Sequence, residues 1–173
     1  TRYTSEGGWY DCDKIRFRQG TPEKIGGWQR ISATTFLGVC RSLWNWVTLG
    51  SQNLIGVGTN LKFYIENGGA YNDITPLRAT VTLTNPFETT SGSPIVEVTD
   101  ANGGYIDGDF VTFSGAVGLG GNITATVLNA EHQITVIDAN SYTITVSAVA
   151  NATDVSGSPG GGASVVAAYQ VSI

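Results

Sequence analysis

The sequence of 173 residues contains no methionine, only one histidine and two cysteines, and 13% charged residues. It has no run of about 18 apolar residues, so it predicts no membrane span. A Ser-His-Asp or Cys-His catalytic site would have to use His132, the single histidine. Because there is neither an initiator methionine nor a charged and apolar leader, we expect the chain to be processed or an excerpt of a longer protein.

The residues that are abundant indicate an all-β protein. Glycine occurs 23 times, aromatic residues make up 10% of the chain, and the strand-like segments are built from Val, Thr and Ile. β-Branched and aromatic residues favour strands, and glycine favours the turns between them. The high content of such residues and the small net charge of −5 exclude an intrinsically disordered chain.

Charge divides the chain into two halves. All nine Lys and Arg residues fall within the first 78 positions, whereas residues 79–173 contain eight acidic residues and no Lys or Arg. All four tryptophans also lie in the first half. Prolines at positions 76 and 86 favour extended backbone before them. We therefore predict two domains, covering residues 1–82 and 83–173.

The first half predicts propeller-like antiparallel sheets. Residues 14–19 alternate apolar and charged side chains, as a half-exposed strand does. Residues 54–65 form a predicted hairpin that breaks at Gly58-Thr59-Asn60. The segment 36–47 fits both strand alternation and helical spacing, and its Trp and Val content favours a strand. Such short strands are typical of a sandwich, a barrel or a propeller blade.

The second half predicts a small β-barrel or sandwich domain. Its strand candidates are residues 94–99, 109–114, 132–137, 141–147 and 163–171. The short connector Asp138-Ala139-Asn140 predicts a hairpin between the third and fourth of these.

The residues that could carry chemistry do not form a recognisable catalytic or metal-binding pattern. His132 begins an alternating strand, which predicts an ordinary surface or rim position. Cys12 and Cys40 are compatible with a disulfide or with two free thiols, and their spacing does not decide between these. We predict no cofactor, no catalytic residue and no enzymatic activity.

Asp100, Asp107 and Asp109 form an acidic stretch that could offer oxygen ligands to calcium. The stretch departs from the helix-loop-helix calcium template, because Tyr105 stands where the loop needs glycine and Val111 where it needs glutamate. The alternative, that Asp-Gly and Asn-Gly pairs form turns here, is favoured.

Two groups of segments resemble proteins of tailed bacteriophages. Residues 7–28, 38–43 and 54–65 resemble the opening of the tail hub or nozzle, also called the packaged-DNA stabilisation protein, of short-tailed phages. Residues 108–115 and 128–144 are similar to a small β-barrel inserted in phage virion proteins, although Ala130-Glu131-His132 departs from that family's Gly-Glu-Tyr. The family runs to several hundred residues, so the resemblance implies that this chain is an N-terminal portion.

The resemblance implies a virion structural protein that forms part of a ring in a phage tail and is assembled in the host cytoplasm. The implied partners are other copies of the chain and neighbouring tail or portal-adaptor proteins, with passing contact to packaged DNA. Large aromatic and Arg side chains are typical of interface centres. This makes the following residues interface candidates: Trp9, Trp28, Trp44, Trp46, Arg16, Arg18 and Arg41. The alternative is a carbohydrate-binding or adhesin-like module of a tail fibre, with the tryptophans as a sugar platform.

Overall fold

The computed structural model describes residues 13–27, 29–30, 32–101, 103–151 and 160–173. The predictions made for Trp9, Cys12 and Trp28 lie outside these residues. Within the described ranges the protein is nearly all β, with thirteen strands and one helical turn, α1 (Ala125–Leu128). The predicted all-β fold is therefore confirmed. None of the described helices is long and apolar enough to cross a membrane.

The first half forms two separate antiparallel sheets. Strands β1 (Ile15–Arg18) and β2 (Thr21–Lys24) make a two-stranded hairpin. The other sheet has four strands in sequential order: β3 (Cys40–Val47), β4 (Asn53–Thr59), β5 (Phe63–Asn67) and β6 (Ala70–Asp73). The ambiguous segment 36–47 is thus a strand in its second part, and the hairpin predicted within residues 54–65 is the β4–β5 pair.

The second sheet-forming region is a seven-stranded antiparallel sheet. Its strands are β7 (Leu77–Leu83), β8 (Phe87–Thr89), β9 (Ile95–Thr99), β10 (Phe110–Ser114), β11 (Glu131–Val136), β12 (Ser141–Thr145) and β13 (Val165–Gln170). Their spatial order is β7-β13-β10-β11-β12-β9-β8. A bridge between Phe87 and Gly160 joins the last strand back to the segment that leads into β13, so the sheet curls into a half-barrel.

The main hydrophobic core lies inside this half-barrel. It contains fully buried side chains from β8 to β13, among them Phe87, Val98, Phe113, Ile144 and Tyr169. These residues alternate with exposed ones along their strands, as one-sided burial of an antiparallel sheet requires. The alternation that predicted strands in the second half therefore also identifies the side chains that fill the core.

Strand β7 belongs to the half-barrel although most of it precedes the predicted domain boundary at 82/83. It pairs with β13 over most of its length, from Leu83 opposite Val165 to Ala79 opposite Tyr169. Along the chain, the four-stranded sheet ends with β6 and the half-barrel begins with β7, and Ile74-Thr75-Pro76 connects them.

Candidate interaction surface

Strand β3 is the most exposed strand of the four-stranded sheet. It lies at the edge of that sheet, and seven of its eight residues are exposed. The exposed fractions are 74% for Trp44, 66% for Leu43 and 62% for Val47. An edge strand with large apolar side chains in solvent is a surface suited to docking.

An aromatic platform formed by Trp44, Trp46 and Phe63 covers one face of the sheet. Trp44 and Trp46 stand opposite Gly56 and Leu54 of β4, and Phe63 stands opposite Gly58. A β-carbon on Gly56 would lie only 3.2 Å from the Trp46 ring, so glycine is what lets this ring lie close to the sheet. Trp44 and Phe63 line a shallow hollow of about 190 Å³.

The opposite face of the same sheet is covered only in part. Phe36 packs against Tyr64 and Tyr71, with ring centroids 6.0 and 5.0 Å apart, and Val57 is buried beside them. Leu43, on the same face of β3, is not covered by any of these contacts and is exposed. Apolar side chains therefore reach solvent on both faces of β3.

The arginines predicted at an interface lie at two different places. Arg41 is exposed near the start of β3, three residues before Trp44. Arg16 and Arg18 are exposed on β1, in the separate two-stranded sheet. Arg16 forms an ion pair with Glu23 at 3.2 Å, across the β1–β2 hairpin. In the described part of the chain Trp44, Trp46 and Arg41 thus lie on the same strand, and their role as interface residues remains a prediction.

A buried lysine connects the four-stranded sheet to the half-barrel. The Lys62 side chain, in the loop between β4 and β5, is 1% exposed. Its Nζ donates to Asp73 Oδ2 at 2.6 Å on β6 and to Glu131 Oε1 at the start of β11. It also lies 4.5 Å from the centroid of the Phe110 ring on β10. We call Lys62, Asp73 and Glu131 the ion triad.

The contacts of the ion triad shift the pKa values of Lys62 and Asp73. Burial pushes the pKa of Lys62 downward, but hydrogen bonds to Asp73 and Glu131 outweigh burial and raise it above its usual 10.5. Burial pushes the pKa of Asp73 upward, but hydrogen bonds from Lys62 and Thr75 outweigh it and hold this pKa below the usual 3.8. Lys62 and Asp73 are therefore both charged near neutral pH, as a buried ion pair requires.

The aspartates of the acidic stretch turn toward different partners. Asp100 is buried and accepts a hydrogen bond from the Tyr169 hydroxyl at 2.6 Å. Asp107 accepts from the Val136 amide, and Asp109 from Arg78 at 2.8 Å and from Ser172. In the described ranges, no group of three His, Cys, Asp or Glu side chains is placed to hold a metal ion.

A tyrosine cluster surrounds Asp100. Tyr142 and Tyr169 join their hydroxyls at 2.9 Å, and Tyr105 donates to the Asp100 carbonyl. Burial, together with the nearby Asp100 and Asp138 carboxylates, raises the pKa of Tyr105 to about 12, and burial also raises the pKa of Tyr142 and Tyr169. These phenols stay protonated at neutral pH and serve as hydrogen-bond donors inside the half-barrel.

His132 and Cys40 occupy ordinary structural positions. The prediction that His132 lies at the surface is wrong: it is buried on β11, with Nε2 3.2 Å from the Leu128 carbonyl oxygen and its ring beside Phe113. Cys40 is exposed at the start of β3, where its Sγ donates to the Ser42 carbonyl at 3.5 Å.

Comparison with known proteins does not assign the chain to a family. No protein-family model and no curated protein matches it. Among solved structures, the chain is similar to a phage phi92 endosialidase, with 16% sequence identity and a TM-score of 0.44. The match covers 87% of this chain but 21% of the endosialidase chain. At this identity and TM-score the likeness carries no conclusion about activity, substrate or family.

Proposed function

We propose that the chain is a structural component of the tail of a tailed bacteriophage, without catalytic turnover, and that the four-stranded sheet is its assembly surface. The phage setting rests on the sequence resemblance of residues 7–28, 38–43 and 54–65 and of residues 108–115 and 128–144. The observation that carries the assembly role is β3, whose apolar side chains are exposed on both faces of an open sheet edge. A surface of this kind is stabilised by burial against protein.

The finer proposal is a ring at the tail hub or nozzle, which is what the resemblance implies. A four-stranded blade is not a closed unit, so it needs neighbouring sheets to cover its faces and edges. Those neighbours would be other copies of the chain and adjoining tail or portal-adaptor proteins. The proposal places the chain in the virion.

Virions of the source phage test this proposal directly. We expect mass spectrometry of purified particles to find the chain in stoichiometric amounts, and antibodies against the half-barrel to label the tail in electron micrographs. Antibodies against the capsid, applied to the same particles, serve as the labelling control. Particles that lack the chain, or tails that the antibody never labels, would contradict the proposal.

The second candidate, a carbohydrate-binding module, is favoured by the exposure of Trp44 beside Phe63 and the shallow hollow between them. A sugar stacks on one face of an aromatic ring. Sugar binding on the face of Trp44 would leave unexplained why Leu43 is exposed on the opposite face of β3. A glycan array separates the two functions: sugar binding that Trp44→Ala abolishes and Leu43→Ala leaves intact would favour the second candidate.

A further inference from the structure

Within the part of the chain that the structure describes, the outer edge of β3 carries unpaired backbone groups at three alternate residues. In an antiparallel pair, every second residue directs its N–H and C=O to the neighbouring strand. The Thr48 amide donates to the Gln52 carbonyl at 2.9 Å at the turn. The even-numbered residues of β3 therefore direct their backbone N–H and C=O groups toward β4. Leu43, Asn45 and Val47 therefore direct their N–H and C=O away from β4, where no described strand pairs with them.

The hydrogen bonds of the next strand pair lead to the same assignment. The Thr59 amide donates to the Lys62 carbonyl at 2.9 Å, so the odd-numbered residues of β4 direct their backbone N–H and C=O groups toward β5. The even-numbered residues therefore direct their backbone N–H and C=O groups toward β3. These are Leu54, Gly56 and Gly58, which stand opposite Trp46, Trp44 and Ser42.

The segment at this open edge is nearly palindromic. Residues 43–47 read Leu-Trp-Asn-Trp-Val, with Asn45 at the centre. If two such strands pair antiparallel about a two-fold axis at Asn45, Leu43 lies opposite Val47 of the second copy and Trp44 opposite its Trp46. Apolar side chains then meet apolar side chains on both faces, and the outward backbone groups form about six hydrogen bonds.

We propose that the partner of this edge is a second copy of the chain, paired through β3 about Asn45 to give a continuous eight-stranded sheet. A two-fold axis at Trp44 instead would put Leu43 opposite Asn45 and lose this match. The only charge on β3, Arg41, would face Leu49 of the second copy, so no like charges meet. This inference names the partner of the proposed assembly surface and therefore rests on the proposed function.

The other sheet edges are less suited to the same contact. β6 is four residues long and contains Asp73, β7 contains Arg78, and β8 has three residues. Charged residues and short length are devices that protect an edge from pairing. Over residues 43–47, β3 has neither charge nor proline. A two-fold contact closes on two copies, so a ring would need a further surface.

Introducing a charge of either sign at Asn45 tests the pairing and its register. We expect the full chain to form dimers, and Asn45→Asp and Asn45→Lys each to weaken them about fivefold or more, because like charges then lie directly opposite. Mixing the two variants should restore a mixed dimer of at least wild-type affinity. Asn72→Asp and Asn72→Lys, at an exposed site on β6, are the matched controls and should leave association unchanged. Sedimentation equilibrium measures the dimer affinity of each variant and of the mixture, and native mass spectrometry detects the mixed dimer.

Hydrogen exchange supplies a second measurement. The amides of Leu43, Asn45 and Val47 should become protected as the protein concentration rises. At the same concentrations, this protection should be weaker in Asn45→Asp when it is not mixed with Asn45→Lys. A chain that stays monomeric, or dimers that ignore the charge at Asn45 or gain nothing from mixing, would overturn the proposal. If the chain is present in virions but does not form this dimer, the pairing is refuted and the proposed function stands. If the chain forms the dimer but is absent from virions, the proposed function is refuted and the pairing stands.

Discussion

Replacing Lys62 by methionine is expected to lower the free energy of unfolding by about 3 kcal/mol. The substitution keeps an unbranched side chain near Phe110 but removes the one cation that Asp73 and Glu131 share. Removing one partner of a buried ion pair commonly costs about 3–5 kcal/mol. The lower value applies because the side chains of Asp73 and Glu131 keep 30% and 33% exposure and remain partly hydrated. Urea unfolding followed by fluorescence measures the change.

Lys24→Met provides the matched control for this prediction. Lys24 is exposed on β2, so losing its charge should change stability by less than about 0.5 kcal/mol. If Lys62→Met proved as harmless as Lys24→Met, the ion triad would not stabilise the contact between the four-stranded sheet and the half-barrel.

The pH dependence of the same variant identifies the charge as the cause. Because the pKa of Asp73 is lower in the folded state than its usual 3.8, the stabilisation from pairing is present above that value and is lost as the pH falls through the folded pKa. The raised pKa of Lys62 keeps the ammonium charged beyond pH 10.5. The stability difference between wild type and Lys62→Met should therefore be constant near neutral pH and shrink below pH 3.8. A difference that persists unchanged in acid would indicate lost packing instead.

Much of the strand pattern could be predicted because it is local. β10 to β13 and the β4–β5 hairpin show alternation over several residues with turn-forming residues between them. The same signal was available for His132, which lies two residues before Ile134 and shares its buried face. Consistent use of the period of two would have placed this histidine inside.

Strands β7 and β8 were missed for different reasons. In β7, Ala79, Val81 and Leu83 pack on the core at a period of two, but the change in charge near Arg78 and the flanking prolines favour a domain boundary here. β8 has three residues, too few to establish any periodicity. Its place in the half-barrel depends on Phe87 and Gly160, which are far apart in sequence.

The sequence predicts the candidate surface better than it predicts the ion triad. Trp44, Trp46 and Arg41 share one strand, and the alternation of β3 places the two tryptophans on one face. Lys62 and Glu131 are 69 positions apart, and a lone lysine in a hairpin loop ordinarily predicts an exposed side chain. Lys62 contacts Asp73, Glu131 and Phe110, which lie on three different strands, and no local pattern encodes those contacts.

Replacing Phe87 by alanine is expected to destabilise the protein by about 4 kcal/mol, the largest effect we predict. Phe87 is fully buried, and its ring meets Phe113 edge to face with centroids 5.0 Å apart. Its backbone also exchanges hydrogen bonds with Gly160 at 3.1 and 2.9 Å. The side chain therefore fills the core at the place where β8 closes the curled sheet, and alanine would leave a cavity there. Thermal and urea unfolding measure the loss.

Phe17→Ala is the control, because Phe17 is 50% exposed on β1 and should cost less than about 1 kcal/mol. Gly161 gives an independent check of the closure. Its φ of +110° disfavours any side chain, and a β-carbon there would collide with the Phe87 ring. Gly161→Ala should therefore be destabilising by itself, and combined with Phe87→Ala it should cost less than the sum, since the smaller side chain removes the collision. Strictly additive losses would mean that the contact between Phe87 and Gly161 does not close the half-barrel.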